Sequence, residues 1–270
     1  MKSIQLFLIA ILTAVVTQVA TADVTSPSKR SAARQRGVSY LEYVNKSLAQ
    51  TPPKPAPLAK SVLESVQVFG RAKFRPIQTW ASTEQLQKNF EAVRDIRWLE
   101  DASHENFLRR STWLFPDDGC YARAALAVAN LIIWKQPAPD KVFAFGDLTA
   151  YTQNTPDGQV TWWYHVAPVV SVKGVRYVLD PAIDAGRPLT LEKWLARMSP
   201  YPKQLHVAIC GSGSYGPDDV CEYTSDGQEN LALEEQAYFL DEEWERLRDL
   251  KRDPVQELGD SPPWLGLTGS

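Results

Sequence analysis

Cys120, His165 and Asp180 are the residues of this chain whose types and placement suit covalent catalysis. The chain has three cysteines, Cys120, Cys210 and Cys221. Cys210 and Cys221 flank a Gly-, Ser- and Pro-containing segment, GSGSYGPDDV, that can bend back on itself. A disulfide between them is expected, worth about 3 kcal/mol in the loop-entropy picture. Cys120 is then the unpaired thiol. It follows the turn Pro116-Asp117-Asp118-Gly119 and opens an Ala-rich run. Backbone N–H groups and the dipole at a helix start favour an anion there, first a thiolate and then an oxyanion. A buried, inert cysteine is the alternative at such a position.

A thiol nucleophile needs a base, and a base needs an orienting group. Of the three histidines, His104 lies in a polar stretch and His206 in a short strand. His165 follows Trp162-Trp163-Tyr164 on a strong strand, where burial can fix its ring. Strand histidines are otherwise structural. Asp180 is the expected acid, and strand register tests it. If Lys173-Gly174 is a two-residue turn, Val172 faces Val175 and paired numbers sum to 347. Ala167 then faces Asp180, which becomes a diagonal neighbour of His165 on one face, about 7–8 Å away. A slip of one residue would separate them. Asp180-Pro181 is also an ordinary turn signal.

Several elements must hold these residues. Ser82 and Gln85 form a capping box, and Leu86, Phe90, Val93 and Ile96 follow at helical spacing. A second helix is predicted from Cys120 to about Lys135, stopped by Pro137 and Pro139. Val142–Phe145 reads as a short strand ended by Gly146-Asp147. Along Val160–Val170, alternation puts Val160, Trp162, Tyr164 and Val166 on one face, and Thr161, Trp163, His165 and Ala167 on the other. Val175–Asp180 is the returning strand. Further helices are expected over Thr190–Met198 and about Asn230–Arg252. Helices followed by antiparallel strands predict an α+β fold.

The N-terminus reads as a secretory signal: Lys2, an apolar run from Ile4 to Val16, then Ala20-Thr21-Ala22. Cleavage after Ala22 and a secreted or periplasmic location are expected, with no membrane attachment afterwards. Residues 23–76 are rich in Ser, Pro, Lys and Ala and read as a flexible leader or pro-segment, with a short helix over Val38–Leu48. The remaining divisions are a catalytic domain at 77–228, an amphipathic helix at 229–253 and a loose tail at 254–270. A net charge of -3 gives no basis for nucleic-acid binding. The spacing of the cysteines, with no histidine following, does not suit zinc. No metal or cofactor is expected, and the protein should be a monomer.

The segment from Phe115 to Ala124, FPDDGCYARA, resembles the nucleophile motif of the bacterial protein-glutaminases. The resemblance continues through Phe145-Gly146-Asp147-Leu148, Trp163-Tyr164-His165-Val166-Ala167 and Leu179-Asp180-Pro181, over roughly residues 80 to 225. It implies a papain/transglutaminase-like core in which a helix carrying the nucleophile packs on an antiparallel sheet. It places the catalytic Cys, His and Asp of that family on Cys120, His165 and Asp180. It implies hydrolysis of glutamine side-chain amides in proteins or peptides through a thioester, releasing ammonia. An inhibitory pro-region is a further implication for residues 23–76. Three other readings remain open: a transglutaminase-type cross-linker, a papain-like peptidase, and a non-catalytic binding module. Trp113 and Trp162–Tyr164 are candidates for lining a substrate groove, with the core as their alternative.

Overall fold

The computed structural model describes residues 77–104, 107–217 and 228–265. The expected signal peptide, the Val38–Leu48 helix and Cys221 lie outside the described residues. Ser82 caps helix α1 (Thr83–Asp95) by accepting from the Gln85 N–H, as its capping box predicts. Two short strands, β1 (Leu99–Glu100) and β2 (Leu108–Arg109), form a separate ladder. Helix α2 (Cys120–Ile133) starts on the cysteine itself. A five-stranded sheet follows, made of β3 (Asp140–Tyr151), β4 (Gln159–Val172), β5 (Val175–Val178), β6 (Leu189–Thr190) and β7 (His206–Cys210). Its order is β6-β5-β4-β3-β7 and every named ladder is antiparallel. Helix α3 (Leu191–Met198) leaves β6 directly, capped by Thr190. Helices α4 (Gln228–Asp249) and α5 (Pro254–Leu258) close the chain.

Alternation along the strands gives the sheet two apolar faces, each covered by helices. Phe143, Phe145, Tyr164 and Val166 pack with the Ala-rich side of α2 and with Ala232 and Leu240 of α4. Val142, Ala144, Trp162, Ala167 and Val169 pack with Trp194, Leu195 and Met198 of α3. Helix α1 sets Leu86, Phe90 and Val93 against the far end of α2 and against Val170 and Val172. This is the expected α+β architecture, with the helix that starts at Cys120 laid on an antiparallel sheet.

Two expectations about the strands are corrected. Gly146-Asp147 does not end β3, which runs on to Tyr151. Instead, the ladder shifts by one residue between Phe145 and Leu148, with Gly146 at a φ of 139°. Gly146 makes this bulge possible, because a side chain disfavours that backbone angle. The shift also breaks strict alternation on β4. Trp162 faces α3 while Tyr164 faces α2, so Trp162 shares a face with His165 rather than with Tyr164.

The tail is corrected too. It was expected to be loose from residue 254, yet α5 forms and Leu258 and Trp264 are buried against Leu114 and Leu247. Asp253 caps α5, and Pro254 at its first position suits a helix start.

Candidate active site

The hairpin that carries His165 has the predicted register over its β4–β5 ladder. Val172 faces Val175 and Val169 faces Val178, each pair summing to 347. Lys173 and Gly174 both have positive φ (50° and 80°), the conformation a tight two-residue hairpin turn requires. Strand β5 covers β4 only over Val169–Val172. The strand expected to reach Asp180 ends at Val178. The Leu179 N–H bonds the Pro168 carbonyl, and the chain then brings Asp180 into direct contact with His165 rather than to a diagonal strand position. His165 Nε2 and Asp180 Oδ2 are 2.8 Å apart. The same oxygen accepts from Trp194 Nε1 at 2.8 Å, and Oδ1 accepts from the Ala182 N–H at 3.2 Å. The imidazole lies between Trp162, with ring centroids 4.7 Å apart, and Trp194, at 5.7 Å. Both its rotation and its tautomer are therefore constrained.

Cys120 meets this pair from the opposite element. Gly119 before it has a φ of 78°, and its own N–H donates to Asp118 Oδ1 at 2.7 Å. A Cβ at Gly119 would lie 2.8 Å from the Phe239 ring, so only glycine fits both the angle and the space. The Cys120 side chain interacts with His165 and with Tyr164. With Nε2 committed to Asp180, Nδ1 is the ring nitrogen left for the thiol. Cys120, His165 and Asp180 are all buried, at 2%, 1% and 6% exposure.

Electrostatics favour a charged pair at this site. Burial opposes a charged His165, but Asp180 and then Cys120 outweigh it and raise its pKa to about 9. Burial likewise opposes ionised Asp180, yet His165, the Trp194 N–H and Arg123 hold its pKa below the usual carboxylate value. Burial and the neighbouring Cys120 and Asp118 push the Tyr164 hydroxyl well up, so it stays protonated.

The turn that presents Cys120 is supported by residues whose roles the sequence did not reveal. Arg123, buried, sends Nη1 to the carbonyls of Thr112, Phe115 and Asp118, the last at 2.7 Å. Helix α4 contributes three more supports. Gln236 Oε1 accepts from Thr112 N and Oγ1, both at 3.1 Å. Glu243 accepts from the Leu114 N–H at 2.8 Å and from Arg109 at 2.9 Å. Arg246 reaches Asp117 at 2.6 Å. Gln236 is fully buried, and its Nε2 has no hydrogen-bond partner among the described residues while lying against Gly119. Only the Arg123 position, inside the FPDDGCYARA motif, carried any sequence signal.

The other candidates divide between core and site. Trp113 is a core residue, its Nε1 donating to the Arg94 carbonyl. Tyr164 is core, Trp163 is half-buried, and Trp162 lines a cavity beside the histidine. Cys210 ends β7, buried. Among the described residues, no cluster of His, Cys, Asp and Glu could hold a metal ion, and no helix is long and apolar enough to cross a membrane.

A helix N-terminal cysteine facing a His–Asp pair on an antiparallel sheet is the α+β arrangement that the sequence resemblance implies. Residues 86–198 match the family model described as Glutaminase. Among solved structures, the chain is similar to a pro-protein-glutaminase at 21% identity, covering 61% of this chain and 60% of that one, with a TM-score of 0.46. It is also similar to the protein-glutaminase of Chryseobacterium proteolyticum at 22% identity, covering 57% and 85%, with a TM-score of 0.45. The chain thus spans about three fifths of the pro-protein-glutaminase structures it matches. No curated protein matches it.

Proposed function

We propose that this protein is an exported deamidase that hydrolyses the side-chain amide of glutamine in proteins or peptides. Cys120 is the nucleophile, His165 the acid and base, and Asp180 the group that orients His165. The observation that carries the reading is the buried His165, bonded to Asp180 on one side and interacting with Cys120 on the other. The matched family segment supports glutamine as the substrate side chain.

The chemistry follows from these positions. Thiolate sulfur attacks the carboxamide carbon, and negative charge develops on the carbonyl oxygen. The Cys120 backbone N–H, at the start of α2, faces that charge, and Gln236 Nε2 beside Gly119 is the second donor in this reading. As the C–N bond breaks, imidazolium Nδ1–H gives its proton to the leaving nitrogen, which departs as ammonia. His165 then takes a proton from water, and the hydroxide opens the thioester to leave glutamate and the thiolate. Each positioned proton transfer contributes about 10²–10⁴-fold.

The rest of the proposal concerns organisation. Residues 1–22 direct export and are removed, and 23–76 are a leader or pro-segment. Residues 77–228 are catalytic, and the product acts as a monomer. Cys210 and Cys221 form a disulfide in this reading, supported by Cys210 being disulfide-bonded.

Ammonia release from a glutamine-rich protein, with Cys120→Ala as the control, tests the reading. Wild type should release ammonia and add about one dalton per modified site, and the variant should do neither. Fragments would identify a peptidase, and larger adducts a cross-linker. A wild-type protein freed of its leader that released no ammonia would sink the proposal.

A further inference from the structure

Tyr164 stands at the reacting sulfur without a part in the chemistry above. It precedes His165 on β4, and neighbours on a strand point to opposite faces. Cys120 nevertheless interacts with both side chains. One sulfur reaches both from beside the strand, and β4 has no β5 partner N-terminal to Val169. Packing fixes the Tyr164 ring on the α2 side. It faces Phe145 across the ladder and stacks on it at 6.3 Å, with Trp163 edge-on at 4.6 Å. The side chain is fully buried, where a phenol hydroxyl needs a hydrogen-bond partner, and a side-chain hydrogen bond joins it to Cys120.

Burial, and after it the charges of Cys120 and Asp118, push the Tyr164 hydroxyl up, so it keeps its proton and donates to an anionic sulfur. Such a donor matters most when His165 is engaged elsewhere. In the first half of the reaction the imidazolium proton goes to the departing nitrogen. In the second half the imidazole takes a proton from water. The resulting tetrahedral intermediate then collapses, the carbon–sulfur bond breaks and its electron pair returns to sulfur. Tyr164 transfers no proton in this step, and its O–H stabilises the charge that sulfur regains.

We propose that Tyr164 is a further catalytic residue, whose hydroxyl donates to the Cys120 sulfur and stabilises it as the leaving thiolate when the thioester is hydrolysed. The inference rests on the glutaminase reading for its reaction steps and adds a residue that acts on one half of them. A hydrogen bond to the starting thiolate stabilises the ground state of the attack, so its loss does not slow acylation. Its loss does slow the expulsion of sulfur, where the charge grows in the transition state.

The test is Tyr164→Phe in the full exported chain, which removes one oxygen and keeps the ring between Phe145 and Trp163. After rapid mixing with a short glutamine peptide, the first equivalent of ammonia should appear within about twofold of the wild-type rate. The glutamate peptide should form about tenfold more slowly. Acid-quenched variant should therefore carry the peptide as a thioester on Cys120, seen as an added mass on the intact protein. Equal slowing of both steps would make Tyr164 an oxyanion donor or a packing residue, and wild-type rates for both would leave its hydroxyl idle. Either result overturns the inference.

A second readout needs no substrate. The ultraviolet absorbance of the thiolate is the difference between each protein and its own Cys120→Ala counterpart. Its acid-side midpoint should lie about one pH unit higher in Tyr164→Phe, because a donor to the charged form is lost. The other titratable groups that face the sulfur stay the same in both proteins. They are His165 on β4, Asp118 and Tyr121 around the start of α2, and Tyr215, which bonds Glu235 of α4 at 2.5 Å. An unmoved midpoint also overturns the inference. A shifted midpoint in a protein that releases no ammonia would refute the glutaminase reading and leave the Tyr164–thiolate bond standing.

Discussion

The two halves of the site are built in different ways. His165 lies on β4 and Asp180 just beyond the end of its hairpin partner β5, 15 residues apart, with the Lys173-Gly174 turn setting the register. Cys120 stands after a turn held from far along the chain. Gln236 bonds Thr112 across 124 residues, and Glu243 bonds Leu114 and Arg246 bonds Asp117 across 129 each. The hairpin half is local and self-registering. The Cys120 half depends on contacts from α4 to the turn that presents Cys120.

That contrast can be broken at Glu243, a fully buried carboxylate whose pKa is raised by its burial despite Arg109. Glu243→Ala leaves Arg109 with Asp101 as its remaining carboxylate partner and removes the acceptor for the Leu114 N–H. Breaking a buried pair of this kind costs about 3–5 kcal/mol. The surviving Asp101 contact argues for about 3. Denaturant unfolding should show that loss, and ammonia release should fall with it although no atom of the hairpin is touched. Amide hydrogen exchange under native conditions decides where the loosening lies. Amides of residues 112–120 should exchange faster while those of Val169–Val178 keep their protection. Equal loss in both places would make the halves one cooperative unit and end the distinction.

How much of this was legible in sequence follows the same division. Hairpin register could be read because a turn dipeptide and a period of two act over a dozen residues. The start of α2 could be read from the turn and the alanines after it. The bulge at Gly146 could not, since a Gly-Asp pair signals the end of a strand as readily as a kink within one. The phase shift that moves Trp162 to the face of His165 was hidden with it. The hold of α4 on the 112–118 turn left no local trace, because Gln236 and Glu243 read as ordinary polar positions on an amphipathic helix. Leu258 and Trp264 are too few, in too irregular a segment, to show a period, yet they fill a pocket beside Leu247.

A smaller effect sharpens the comparison through pH. His165 has its pKa raised from 6.5 to about 9 in the folded protein. A raised cationic pKa stabilises the fold fully below pH 6.5, and that contribution is lost as pH climbs through 9. Asp180 works in the other direction: its lowered pKa stabilises the fold above its unfolded value near 3.8 and fails in stronger acid. The His165 contribution is on the order of 1–3 kcal/mol. Chemical denaturation of wild type at pH 6.5 and pH 9.5 should show a drop of that size, and His165→Gln should flatten it. An unchanged slope in the variant would mean that other groups set the alkaline limit and that the His–Asp pair adds little to the fold.

The smallest expected effect lies at the hairpin turn. Lys173 holds a φ of 50°, a region that costs a lysine roughly 1 kcal/mol and that asparagine tolerates better. Its side chain is exposed, so Lys173→Asn removes no packing. The variant should be more stable by about 0.5 kcal/mol, read as a higher denaturant midpoint with an unchanged slope. Because β5 extends into the crossing that delivers Asp180, a firmer turn should hold the His165–Asp180 pair at least as well and leave kcat within about twofold. Greater stability with a large fall in kcat would mean that the hairpin must flex for turnover. The half of the site that reads as the rigid one would then be the half that moves.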